Sequence, residues 1–102
     1  MTDLFGWGTP VEIERRRRIR LCVWAYAYEL LDVSLVSDAT FDAECVASQR
    51  DIRTGRFDDW WSAEFAPHTG LWILTHPELT GIATLAKQML HKMESNDVRQ
   101  HR

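Results

Sequence analysis

The residues of this chain whose types and spacing could do chemistry fall in one stretch, Tyr26 to Asp42, which carries Tyr26, Tyr28, Glu29, Asp32, Asp38, Phe41 and Asp42. It reads as the end of one helix, a short turn and the start of the next, so that rings and carboxylates from both helices meet at their junction. Asp38 and Asp42 are four positions apart and share one helical face. Like charges at that spacing destabilise a helix by roughly 0.2–0.5 kcal/mol. The chemistry open to such a set is recognition, with rings to stack and carboxylates to accept hydrogen bonds. Glu29, Asp38 and Asp42 are also a candidate set for a divalent cation, although without a known ligand spacing. Structural readings stand beside these. Tyr28 and Phe41 form a packed pair that fixes the angle between two helices, and Ser37 or Asp38 caps the second one.

The elements that must position this stretch are helical. Thr9-Pro10-Val11-Glu12 has capping-box spacing with Pro at the first helical position, and nothing breaks a helix from there to about 31. Its apolar stripe runs through Ile19, Cys22, Val23, Tyr26, Ala27 and Leu30. A second, less apolar strip, with Glu14, Arg17, Leu21, Trp24 and Tyr28, ends at the turn. The second helix spans about 38–48, and its Phe41 and Cys45 face the core or a ligand cleft. Gln49 to Arg56 reads as a loop. Phe57, Trp60, Trp61 and Phe65 then give a short amphipathic helix with Asp58 and Asp59 in its first turn. A turn follows at 67–70. Leu71 to Leu74 suits either an extended segment or a helix. The last helix starts around Thr75 to Leu79, with Pro77 in its first turn, and its apolar face holds Ile82, Leu85, Ala86, Met89, Leu90 and Met93. Residues 1–8, with Phe5 and Trp7, read as a flexible lead, and 95–102 as a frayed end. The expected fold is a single all-α domain over 1–102, a hairpin of about 10–31 and 38–48 packed with a Trp-rich short helix and a C-terminal helix.

Composition limits the function. A length of 102 residues supports one domain, and a net charge of -3 opposes general attraction to nucleic acid. Five arginines nonetheless fall in Arg15 to Arg20. Consecutive helical residues point in different directions, and Glu12 and Glu14 precede Arg16 and Arg18 by four. A solvated, ion-paired helix face is therefore expected, with a phosphate-binding role as the alternative. Cationic first turns oppose the helix dipole, which suggests an outside partner for them. Cys22 and Cys45 lack CxxC spacing and read as a reduced pair. No apolar run of signal-peptide or membrane-span length is present, so a cytoplasmic protein is expected, with no membrane contact. Trp60, Trp61 and Trp72 read as core rather than a base-stacking platform. His68, His76, His91 and His101 are scattered, and no catalytic triad, phosphate loop or zinc pattern appears.

From Tyr28-Glu29 through Asp32 to Ser37-Asp38-Ala39-Thr40-Phe41-Asp42, the chain resembles the N-terminal helical domain, domain Ia, of bacterial NAD-dependent DNA ligases. That domain has a helix ending in Tyr-His or Tyr-Tyr, then an Asp, then a Ser-Asp-Ala-Glu-Tyr-Asp-like helix start. The chain is also similar to short ligase-related proteins of phages and bacteria. In the family this domain grips the nicotinamide mononucleotide (NMN) half of NAD. The resemblance thus implies contacts from Tyr28, Asp38, Phe41 and Asp42, with Trp24, Glu29 and Asp32 as further candidates. A cationic nicotinamide ring favours aromatic faces and carboxylates. Two positions depart from the pattern. Glu29 stands where the family often has His, an acceptor that repels a phosphate, and Phe41 stands where it has Tyr, without the hydroxyl. The family's adenylated Lys-x-Asp-Gly motif is missing, since Lys87 and Lys92 are followed by Gln-Met and Met-Glu.

The resemblance implies a non-enzymatic module that requires no cofactor and binds NMN or NAD as a ligand, or that modulates a ligase or another NAD-using partner, in a bacterial cytoplasm or that of a phage host. The alternatives are a protein-interaction or self-association domain using exposed Trp and Arg side chains, and a DNA-binding accessory role for Arg15 to Arg20.

Overall fold

Thr9 starts the first helix, α1 (Pro10–Leu30), its hydroxyl accepting the Glu12 N–H at 3.2 Å while Pro10 fills a position whose amide needs no partner. In this computed structural model residues 8–67 and 69–100 are described, their side chains as far as Glu94. Phe5, Trp7, His68 and His101 lie outside the described residues, and so does the expected flexible lead apart from Gly8. α1 ends where Asp32 takes a left-handed backbone, φ 58°, which lets the Val33 N–H return to the Ala27 carbonyl at 3.0 Å. Asp is among the few side chains other than glycine that enter this region readily. Ser37, not Asp38, then caps α2 (Asp38–Ala47), accepting the Thr40 N–H at 3.1 Å.

The chain passes through the loop at 49–57 into α3 (Asp58–Glu64), and Leu71–Thr75 is a 3₁₀ segment, which settles the ambiguity between strand and helix. α4 (Leu79–Gln100) starts beyond Pro77, so that proline precedes the helix and does not occupy its first turn. α4 also continues through residues 95–100, where the polar sequence suggests fraying. The fold is all-α, with no strand among the described residues. None of the described helices is long and apolar enough to cross a membrane.

α1 is the central element and packs on α4, α2 and the 3₁₀ segment. Leu21, Cys22 and Ala25 of α1 meet Cys45, Trp61, Phe65, Trp72, Ile73 and Ile82 in one buried cluster. The Trp61 and Phe65 rings stack at 4.2 Å, and Trp72 stands edge-on to both. Trp61 and Trp72 are therefore core, and half-buried Trp60 donates its indole N–H to the Thr75 hydroxyl at 2.9 Å.

The buried side of α1 departs from the apolar stripe. Ile19 and Leu30 are 45% and 43% exposed, whereas Glu14 and Arg18 are 0% and 6% exposed. Arg18 donates to Glu14 Oε2 at 2.8 Å, to Asp58 Oδ1 at 2.9 Å, and to the Gln49 and Ile52 carbonyls at 2.8 and 3.0 Å. Its guanidinium also lies over the Trp61 ring. Glu14 accepts from the Ser48 hydroxyl at 2.6 Å, and that oxygen accepts from Trp61 Nε1. A loop that turns its carbonyls inward must find donors for them, and the forked guanidinium supplies several at once. Arg17 and Arg20 both pair with Glu44, and Arg15 reaches Glu12 and the Thr54 carbonyl. The arginine run is thus chiefly an internal staple for the 49–57 loop and α2, and only in part the solvated face its charge suggests.

Candidate functional site

The second half of α1, the turn after it and the start of α2 enclose a cleft of about 380 Å³, closed on the remaining side by Thr69 and Gly70. α1 contributes Trp24, Ala25, Tyr28 and Glu29; the turn contributes Ser34, Leu35 and Val36; α2 contributes Asp38, Phe41 and Asp42. Each contribution follows from helical spacing. Trp24 and Tyr28 are one turn apart on α1, and Asp38 and Asp42 are one turn apart on α2. Gly70 sits so close to α1 that a Cβ there would lie 3.2 Å from Ala25 Cβ and 3.3 Å from Glu29 Oε2. Its missing side chain lets the loop form a wall.

Of the residues singled out in the sequence, Tyr28, Asp38, Phe41 and Asp42 come together here, and Trp24 and Glu29 join them. Asp32 does not line the cleft, and its backbone serves to end α1. Tyr28 is 59% exposed and makes no ring contact with half-buried Phe41, so the two do not form a packed pair between the helices. Asp38 is relieved of capping by Ser37. The turn residues Ser34 to Val36 and the wall at Thr69 and Gly70 carried no chemical signal in the sequence.

The carboxylates of the cleft differ from those that brace the arginine run and the 49–57 loop. Glu12, Glu14, Glu44, Asp58, Asp59 and Glu78 each face an arginine. Glu29, Asp38 and Asp42 form no hydrogen bond or ion pair with another described residue. No Lys, Arg or His among the described residues lines the cleft. The described residues also contain no group of three His, Cys, Asp or Glu able to hold a metal ion, so the divalent-cation reading gains no geometric support.

A second, smaller cavity of about 230 Å³ lies between α1, α3 and α4, bordered by Ile19, Cys22, Phe57, Trp60, His76 and Leu85 among others. His76 is edge-on to Phe57 and Trp60, its Nδ1 accepts the Glu78 N–H, and burial lowers its pKa. Both cysteines are free, and burial pushes Cys22 up to about 12 and Cys45 to about 11, so neither is a thiolate nucleophile at neutral pH.

No family model matches the chain, and no curated protein or solved structure matches it either.

Proposed function

We propose that this chain is a non-enzymatic recognition module that holds the pyridinium end of a nicotinamide nucleotide, NMN, NAD or a derivative, in the cleft at the α1–α2 turn. It would be a stand-alone counterpart of ligase domain Ia, acting in a bacterial or phage-infected cytoplasm on a ligase or another NAD-using partner. The observation that carries this reading is the convergence of three rings, Trp24, Tyr28 and Phe41, with three uncommitted carboxylates on one cleft. A cationic ring is attracted by aromatic faces and carboxylates together, and ribose hydroxyls are natural donors to Asp38 and Asp42. The volume lies within the usual ~300–1,000 Å³ of small-ligand sites. Turnover is not part of the proposal, because no described residue of the cleft pairs a hydroxyl or thiol with a hydrogen-bonded base. Titration with NMN and NAD, followed by the amide shifts of residues 26–42, tests it. Unmoved signals at millimolar ligand would reject it.

One observation favours a second reading, association with a protein or another copy. Ile19 of α1 and Leu85 of α4, which border the smaller cavity, and Met89 one turn beyond Leu85 are 45%, 44% and 45% exposed. Light scattering that gives a monomer at high concentration would dismiss self-association. Of the tryptophans and arginines expected to make such a surface, Trp61, Trp72 and Arg18 are buried, whereas Arg20, Arg53 and Arg56 remain exposed.

A further inference from the structure

Resting on the nucleotide reading above, we infer that the cleft selects a phosphate-free pyridinium monocation, of the nicotinamide ribonucleoside class, over its phosphorylated forms. Three features lead to this. The cleft presents Glu29, Asp38 and Asp42 with no described cation beside them, so their charge is left for a ligand to answer. Its other large groups are the rings of Trp24, Tyr28 and Phe41, whose faces attract a delocalised cation and which offer a phosphate only the neutral Trp24 N–H and Tyr28 hydroxyl as donors. The remaining polar side chains described in the lining are Ser34 and Thr69, so a phosphate would meet neutral donors and no cation against three carboxylates.

Ligand charge decides between the candidates. A pyridinium ribonucleoside is a monocation. A phosphomonoester adds a charge of about −1.5 to −2 at pH 7, which makes the mononucleotide a net anion. A cleft of about 380 Å³ is small beside the ~10 Å Debye length at 0.1 M salt, so a phosphate attached to a seated ligand feels all three carboxylates in any orientation.

Among the described residues, the positive feature of the cleft that could attract a phosphate is the N-terminus of α2, with its partial positive charge. That terminus is already partly compensated. Ser37 takes the Thr40 N–H, and Asp38 stands in the first turn. The cleft is therefore polarised toward cations from both helices.

The test is calorimetric titration of the whole protein with nicotinamide riboside, NMN and NAD at low salt, repeated at high salt. The riboside should bind at least about tenfold more tightly than NMN, a difference of ~1.4 kcal/mol. Added salt should narrow that ratio, because it arises from charge. Glu29→Gln should narrow it too, chiefly by tightening NMN, and Asp42→Asn provides a second charge-removing variant should the first perturb the fold. If NMN or NAD binds as tightly as the riboside or more so, phosphate exclusion is overturned while nucleotide recognition stands. If all three ligands fail to bind, both readings fall. A riboside preference that is unchanged by salt and by both variants would overturn the electrostatic selection proposed here.

Discussion

Asp42 is exposed, unpaired and one turn from Asp38, an arrangement that stabilises nothing within α2. Asp42→Ala is therefore expected to abolish ligand binding while changing stability by less than about 0.5 kcal/mol, in the favourable direction if at all. Glu29→His should act the opposite way on NMN, replacing a repelling acceptor with a donor. Both are read from paired titration and thermal-melt curves. Arg18 is the reverse case, a charged residue whose work is internal. Arg18→Met would remove the buried cation shared by Glu14 and Asp58, leaving them only the more exposed Arg17 and Arg53, and would strip the Gln49 and Ile52 carbonyls of its donors. The expected loss is about 3–5 kcal/mol by urea unfolding. The sequence made Asp42 conspicuous because its neighbours in the site are neighbours in the chain. It hid Arg18, whose partners at 49, 52 and 58 are brought in by a loop with no periodic signal.

At the scale of elements, the helix starts were legible because capping is local chemistry. Thr9 and Ser37 satisfy amides three residues away, and sequence spacing is enough to find them. The buried face of α1 was less legible, since its first half is buried through ion pairs and only its second half through apolar packing. Hydrophobic periodicity reports the second alone. The cleft wall at Gly70 was missed for a related reason, because its contact with Ala25 and Glu29 is long-range. Gly70→Ala is expected to shift the loop by a few tenths of an ångström against Ala25 and to turn the Glu29 carboxylate, changing stability by about 1 kcal/mol or less and weakening the ligand affinity. An unchanged affinity would show that residues 69–70 are not part of the binding surface.

For the whole molecule, the polar half of the core makes stability depend on acid. Burial alone would raise the Asp58 carboxyl. Hydrogen bonds from the Thr54 amide and hydroxyl and the Gly55 amide, with the Arg53 charge, instead hold it at about 2, below an ordinary 3.8. A carboxyl with a depressed folded-state pKa stabilises above its unfolded value. About 2 kcal/mol should thus be fully present above pH ~4 and be lost as the pH falls toward 2. Glu14 is also lowered: burial opposes this, and bonds from Ser48, Arg18, the Gln49 backbone and Arg17 outweigh it, which adds to the same acid loss. Urea midpoints across that range should show the loss, and Asp58→Asn should flatten it.

The indole rings of the described residues are also separated in a way that bears on measurement. Trp24 lines the cleft, while Trp61 and Trp72 are sealed in the aromatic cluster beside Trp60. An electron-poor pyridinium stacked in the cleft would quench the emission of Trp24 and leave the cluster largely bright. Unfolding would change the cluster as well. A single fluorescence trace, compared between the natural chain and Trp24→Phe, can therefore report occupancy and folding as distinct optical signals.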